Sequence, residues 1–177
     1  MRQRKTLLTA VAVGAMAIIA LGFAMTAAAR QDTVSAVKAA TARFNSIEQA
    51  KKAGYQRFYV CTEQPGVGTM GQHYVDFDLV GDPAIDALHP EALVYEPRAD
   101  GSLKLVALEW VRVGPVTNPG PSVLGMPMLH VGSGNRYGIE PDGFYERHFW
   151  LYKSNPAGDF ADWNPRVSCR GNGDNGG

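Results

Sequence analysis

Hydrophobic patterning along this chain changes period twice. Thr6 to Ala29 is one uncharged run, mostly Ala, Val, Ile, Leu, Met and Gly. From Asp32 to Gly54 the apolar positions Val34, Val37, Ala40, Thr41 and Phe44 recur at helical spacing. Asp32 stands where an N-cap belongs, and Asn45-Ser46 interrupts the pattern. Ser46 with Gln49 three residues on spells a capping box for a second short helix, closed by Gly54 at the C′ position. This stripe predicts a face docked on the domain. A membrane-surface helix is the weaker alternative, because few lysines (Lys51, Lys52) accompany it.

From Tyr55 the period becomes two and strands are predicted. Tyr55–Thr62 is the first. Gln64 to Gly71 reads as a Gly-rich loop without the spacing of a phosphate cradle, so its glycines serve tight bending or close approach to a ligand. Gln72 to Leu79 reads as a strand or extended segment, and Gly81 to Pro90 as a polar connection. Ala92 to Glu96 is a compact strand between prolines. Arg98-Ala99-Asp100-Gly101 is a hairpin turn, and Leu103 to Val113 returns as the longest strand. Val113 to Gly143 is dense in Gly and Pro, a long excursion of the kind that is functional or mobile. The chain then re-enters a strand at Tyr145 that stops at Asn155-Pro156-Ala157-Gly158. The predicted fold is mainly β: a short N-terminal helical segment (30–54), then one domain (55–169) of about six to eight antiparallel strands in a barrel or sandwich.

Period two sorts the Tyr145–Trp163 stretch into faces. Glu146, His148, Trp150 and Tyr152 share one, and Arg147, Phe149 and Leu151 the other. Glu109 lies mid-strand in a nearly continuous apolar run, where a buried carboxylate needs a partner or a cation.

Composition changes this picture in three ways. Basic Met1-Arg2-Gln3-Arg4-Lys5, the uncharged run and Ala27-Ala28-Ala29 read as a secretory signal over 1–29, with an uncleaved anchor as the alternative. The whole chain has 17 Lys+Arg and 17 Asp+Glu. The signal holds Arg2, Arg4 and Lys5 and no acid, so residues 30–177 carry 14 basic and 17 acidic residues, a net of −3. There is no basic stripe, which argues against a nucleic-acid partner. Cys61 and Cys169 in an exported chain predict a disulfide, with a metal-binding thiol pair as the lesser reading. The tail from Arg170 is disordered by composition.

Several motifs together resemble a family of exported bacterial proteins of uncharacterised function. They are Gly68-Thr69-Met70-Gly71-Gln72-His73-Tyr74, Pro90 to Pro97, Glu146 to Trp150, Asn155-Pro156-Ala157-Gly158 and Trp163 to Cys169. The resemblance implies export and one small domain, and no activity.

Of the four histidines, His73 and His148 sit on predicted strands, and His89 lies in a surface connection. Strands closing on one another would converge His73, Glu109 and His148 on one interior, a donor set for Zn, Fe, Mn or Cu. The cupin spacing is absent. The structural alternative is a set of hydrogen-bonded core residues, with Glu109 paired to Arg147 or Arg112. Met126, Met128 and His130 are in phase on one extended segment, a weaker copper set. Glu96, Glu146, Trp150 and Tyr152 are the candidate ligand-binding residues, and Glu109 with Glu146 is a candidate acid/base pair. The functional expectation is a protein that binds a metal ion or small ligand on an interior β face. A metal-dependent or acid/base enzyme using the same residues and a structural envelope protein are the alternatives. Once the signal is removed, no membrane partner is expected.

Overall fold

The computed structural model describes residue 31 and residues 33–171. The signal segment, the Asp32 cap and the tail past Gly171 lie outside these residues. Of the unit that ends at Val37, residues 33–37 are helical. Every element named below belongs to the unit from Lys38 onward.

Residues 38–41 are helical, a 3₁₀ turn follows over Ala42–Asn45, and α1 spans Ile47–Lys52. The expected capping box does not form, because the Ser46 side chain makes no cap hydrogen bond. The C-terminal end follows the expectation. Gly54 takes φ 109°, a conformation that costs a Cβ-free residue little. Its N–H donates to Lys51 O at 3.2 Å, and the Tyr55 N–H donates to Ala50 O at 3.1 Å, the double closure of a Schellman turn.

The strands are β1 (Gln56–Gln64), β2 (Gly68–Val75), β3 (Ala92–Pro97), β4 (Leu103–Val113), β5 (Ser122–Val123), β6 (Met126–Pro127), β7 (Leu129–Val131) and β8 (Phe144–Phe149), with α2 (Phe77–Gly81) between β2 and β3. The main sheet is antiparallel, ordered β1-β2-β3-β4-β8-β7 and curled into a half-barrel; β5 and β6 form a small second sheet. One side of the sheet meets the helices, with the Tyr95 hydroxyl donating to Phe44 O at 2.7 Å and the Phe44 and Tyr55 rings edge to face at 5.1 Å.

Four local expectations are corrected. Gly68 to Gly71 is strand, not loop, and the close approach its glycines allow is to other parts of the chain. A Cβ on Gly68 would lie 2.6 Å from Asn164 C, and one on Gly71 2.7 Å from Val94 Cγ1. Thr69 and Asn164 exchange two backbone hydrogen bonds there, each 3.1 Å. The extended reading fails past Val75, because the Asp76 side chain accepts from the N–H groups of Asp78 and Leu79 at 3.1 and 3.4 Å and starts α2. The long Gly/Pro excursion contains β5, β6 and β7, the last paired on β8. Strand β8 ends at Phe149, well before Asn155, since the Trp150 N–H leaves the ladder to donate to Asp159 O at 2.8 Å.

Cys61 and Cys169 form the expected disulfide, 108 residues apart. A loop of that length constrains the unfolded chain by about 4–5 kcal/mol in the chain-entropy account. Thiol titration of denatured, unreduced protein is therefore expected to find no free thiol, and reduction to lower the melting temperature. Titratable cysteines before reduction would refute the bridge.

Glu91 is 2% exposed and its carboxylate accepts the Val111 N–H at 3.0 Å. Burial lifts its pKa from 4.5 to about 7, against the opposing pull of that hydrogen bond. With the folded value above the unfolded one, its contribution to stability is fully present below pH 4.5 and is lost as pH rises through about 7. Glu91→Gln keeps an acceptor for Val111 and removes the titration. The stability of the variant relative to wild type should rise by on the order of 2 kcal/mol between pH 4.5 and pH 8. Urea midpoints at the two pH values check this; parallel pH dependences would rule it out.

Candidate metal centre

Strand register builds the centre. Glu109 on β4 is the direct cross-strand neighbour of His148 on β8, and His73 on β2 faces Val94 of β3. Period two puts all three side chains on the concave face. Strands β2 and β8 are separated by β3 and β4, a span of roughly 14 Å across a flat sheet at ordinary strand spacing. The curl of the half-barrel closes it. The intervening positions on this face are Ala92, Val94 and Ala107, small enough to let the larger groups meet over them.

His73 Nε2 lies 3.2 Å from His148 Nε2 and 3.3 Å from Glu109 Oε2. His148 Nδ1 is 3.7 Å from Glu109 Oε1, too far for a hydrogen bond, and it is buried without a hydrogen-bond partner. One donor atom from each of the three residues fits within 4.8 Å of the others. The residues are 7%, 5% and 0% exposed in the order His73, Glu109, His148.

Burial sets the protonation. It lowers the His73 pKa to about 4 and holds that of His148 well below its ordinary value, helped by the neighbouring His73 and Arg147 charges. Both rings are neutral at pH 7, the form that binds metals. Burial, then the charge and hydrogen bond of Glu146, raises Glu109 well above the carboxylate range. Glu146 is raised as well, chiefly by burial, and is lowered by accepting that hydrogen bond. The two buried carboxyls thus disfavour carrying charge together. A cation among the donors would displace a proton.

A cavity of about 60 Å³ opens over the cluster. His73, Glu109 and Glu146 form its floor, and Phe58, Phe77, Tyr137 and Phe144 stand around it. Burial and the charges of Glu109 and Glu146 raise the Tyr137 hydroxyl's pKa.

The other sequence candidates separate. Glu146 joins the cluster through Glu109. Glu96 is held by Lys153 Nζ at 2.6 and 2.7 Å. The Tyr152 hydroxyl meets Thr41 Oγ1 at 2.8 Å and Lys38 O at 3.2 Å. Trp150 packs with Val94, Val106, Ala107 and Val167, donates from Nε1 to Ala161 O at 2.6 Å and stacks on His148 at 6.2 Å. His89 is on the surface beside Asp86 at 2.8 Å. His130 Nε2 is 3.1 Å from Gly114 O and Met128 is buried, so thioether and imidazole serve packing and backbone. Glu109 and Glu146, the acid/base candidates, line one cavity together. Sequence reasoning missed the aromatic wall. Phe58 and Phe77 follow no local pattern, and the position of Tyr137 in the Gly/Pro excursion was the one available signal. It also missed Tyr59, held at φ 58° where β1 bulges against β2.

Neither protein-family models, nor curated proteins, nor solved structures contain a match to this chain.

Proposed function

We propose that this is an exported protein that binds a divalent transition metal through His73 Nε2, a carboxylate oxygen of Glu109 and a ring nitrogen of His148, beneath a small apolar pocket. Spacing carries the reading. Metal–nitrogen bonds of about 2.0–2.1 Å put tetrahedral donors roughly 3.3–3.4 Å apart, and the donor pairs around His73 Nε2 are at 3.2 and 3.3 Å. Two imidazoles and one carboxylate suit zinc or ferrous iron first, with manganese and copper behind. Export is supported by the intrachain disulfide. Among the described residues no helix is long and apolar enough to cross a membrane.

A metal-dependent enzyme is the second reading. Three protein ligands leave coordination positions open, and the pocket lies directly over the cluster. Elemental analysis of untagged protein tests the metal reading, with one zinc or iron per chain as the expected result. Protein that retains no metal and gains no stability from added zinc, iron(II), manganese or copper would sink it.

A further inference from the structure

Resting on the metal reading above, we propose that the pocket takes one small neutral molecule, or the end of one, built as a single ring or short alkyl group with one lone-pair donor directed at the metal. The make-up of the lining carries this. His73, Glu109 and Glu146 bring polar groups to the pocket, and the rest of its lining is aromatic and aliphatic, with Tyr137 the one polar side chain among them. No Lys or Arg lines the pocket. In the metal-free protein a carboxylate or phosphate entering it would lose hydration without a counter-charge and would face two carboxyl groups. A sugar would bury hydroxyls against walls that offer almost no hydrogen bonds and leave them unsatisfied.

Size and shape narrow the class. The cavity of about 60 Å³ matches the volume share of about two waters, which admits a donor atom and the near edge of one ring. The rest of such a ring extends past Phe77, a lining residue that is 49% exposed. Phe77 and Phe58 are edge to face at 5.8 Å, Phe58 and Tyr137 tilted at 5.8 Å, and Tyr59 and Tyr137 edge to face at 5.3 Å. That collar presents both faces and edges to a further ring.

Phenol and benzoate, titrated into metal-free and zinc-loaded protein and followed by NMR, test the proposal. Phenol should bind both forms, more tightly with zinc. In the metal-free protein benzoate should be weaker by at least about tenfold, since burying its charge unpaired costs more than 1.4 kcal/mol. Val80→Trp, from the half-buried face of α2, fills the pocket and should abolish phenol binding with zinc content unchanged; Ile139→Trp does the same from the opposite wall if the first variant does not fold. Benzoate binding the metal-free protein as well as phenol does, or phenol binding that survives both substitutions, overturns the proposal. Zinc uptake without phenol binding overturns it and leaves the metal reading standing. Phenol binding blocked by Val80→Trp in a protein that takes up no zinc overturns the metal reading and the donor-to-metal contact, and leaves the apolar pocket alone.

Discussion

His148→Ala is expected to weaken zinc binding by more than about 100-fold, because even substitutions outside the ligand shell cost metal sites about 10–100-fold. The side chain is fully buried and presents both ring nitrogens to the cluster, Nε2 toward His73 and Nδ1 toward Glu109. No nearby group replaces it, since Glu146 reaches the cluster through Glu109. Without metal, the variant should stay within about 2 kcal/mol of wild type. The cavity it opens destabilises, but the polar atom it removes was buried without a partner. With zinc at 1,000 times its dissociation constant, wild type should gain about 4 kcal/mol, a rise of roughly 8–16 °C in melting temperature for a chain of this size. The variant should gain almost none. His89→Ala is the control, because His89 is exposed and paired with Asp86 away from the cluster. Calorimetric zinc titration and melting curves of the three proteins check the prediction. If His148→Ala keeps wild-type zinc affinity, the three residues are a core network and nothing more.

Trp150→Ala is expected to cost about 3–5 kcal/mol, the range for losing a buried indole. Trp150 is 3% exposed and fills the space between β3, β4 and the segment carrying Val167. Trp150→Phe keeps most of that packing and leaves Ala161 O without its donor, a loss of about 1–2 kcal/mol. Its zinc content should equal that of wild type, since the ring stacks on the back of His148 and donates nothing to the cluster. Urea unfolding read alongside metal content separates the roles. A Trp150→Phe protein of normal stability with impaired zinc or phenol binding would return this ring to the ligand-binding set.

Local patterning made much of the domain legible. The apolar run of β4 shows in its own residues, so its bounds, Leu103–Val113, agree with the reading from the chain. The Asp100-Gly101 turn and the Gly54 helix end are equally local, each set by a residue that tolerates positive φ. Glu109 stood out because a carboxylate in an apolar run needs a partner. His148 and Glu146 stood out because period two puts them on one face. The expectation of export paired Cys61 with Cys169 in the reading from the chain, and the disulfide forms across a gap no local pattern spans.

Long-range geometry settled the rest. That His73 meets His148 depends on the curl of a sheet whose strands β2 and β8 are not neighbours, and on small residues at Ala92, Val94 and Ala107 between them. Glu96 and Tyr152 look as chemical as Glu146 in the sequence. Tertiary packing gave them Lys153 and Thr41 as partners and left Glu146 beside Glu109. The pocket draws Phe58, Phe77, Tyr137 and Phe144 from four separate segments. The physical reason is one of range. Backbone preference and face alternation act between residues a few positions apart and are written in the chain. Convergence of side chains depends on how far a whole sheet bends, a sum over many contacts that no single segment encodes.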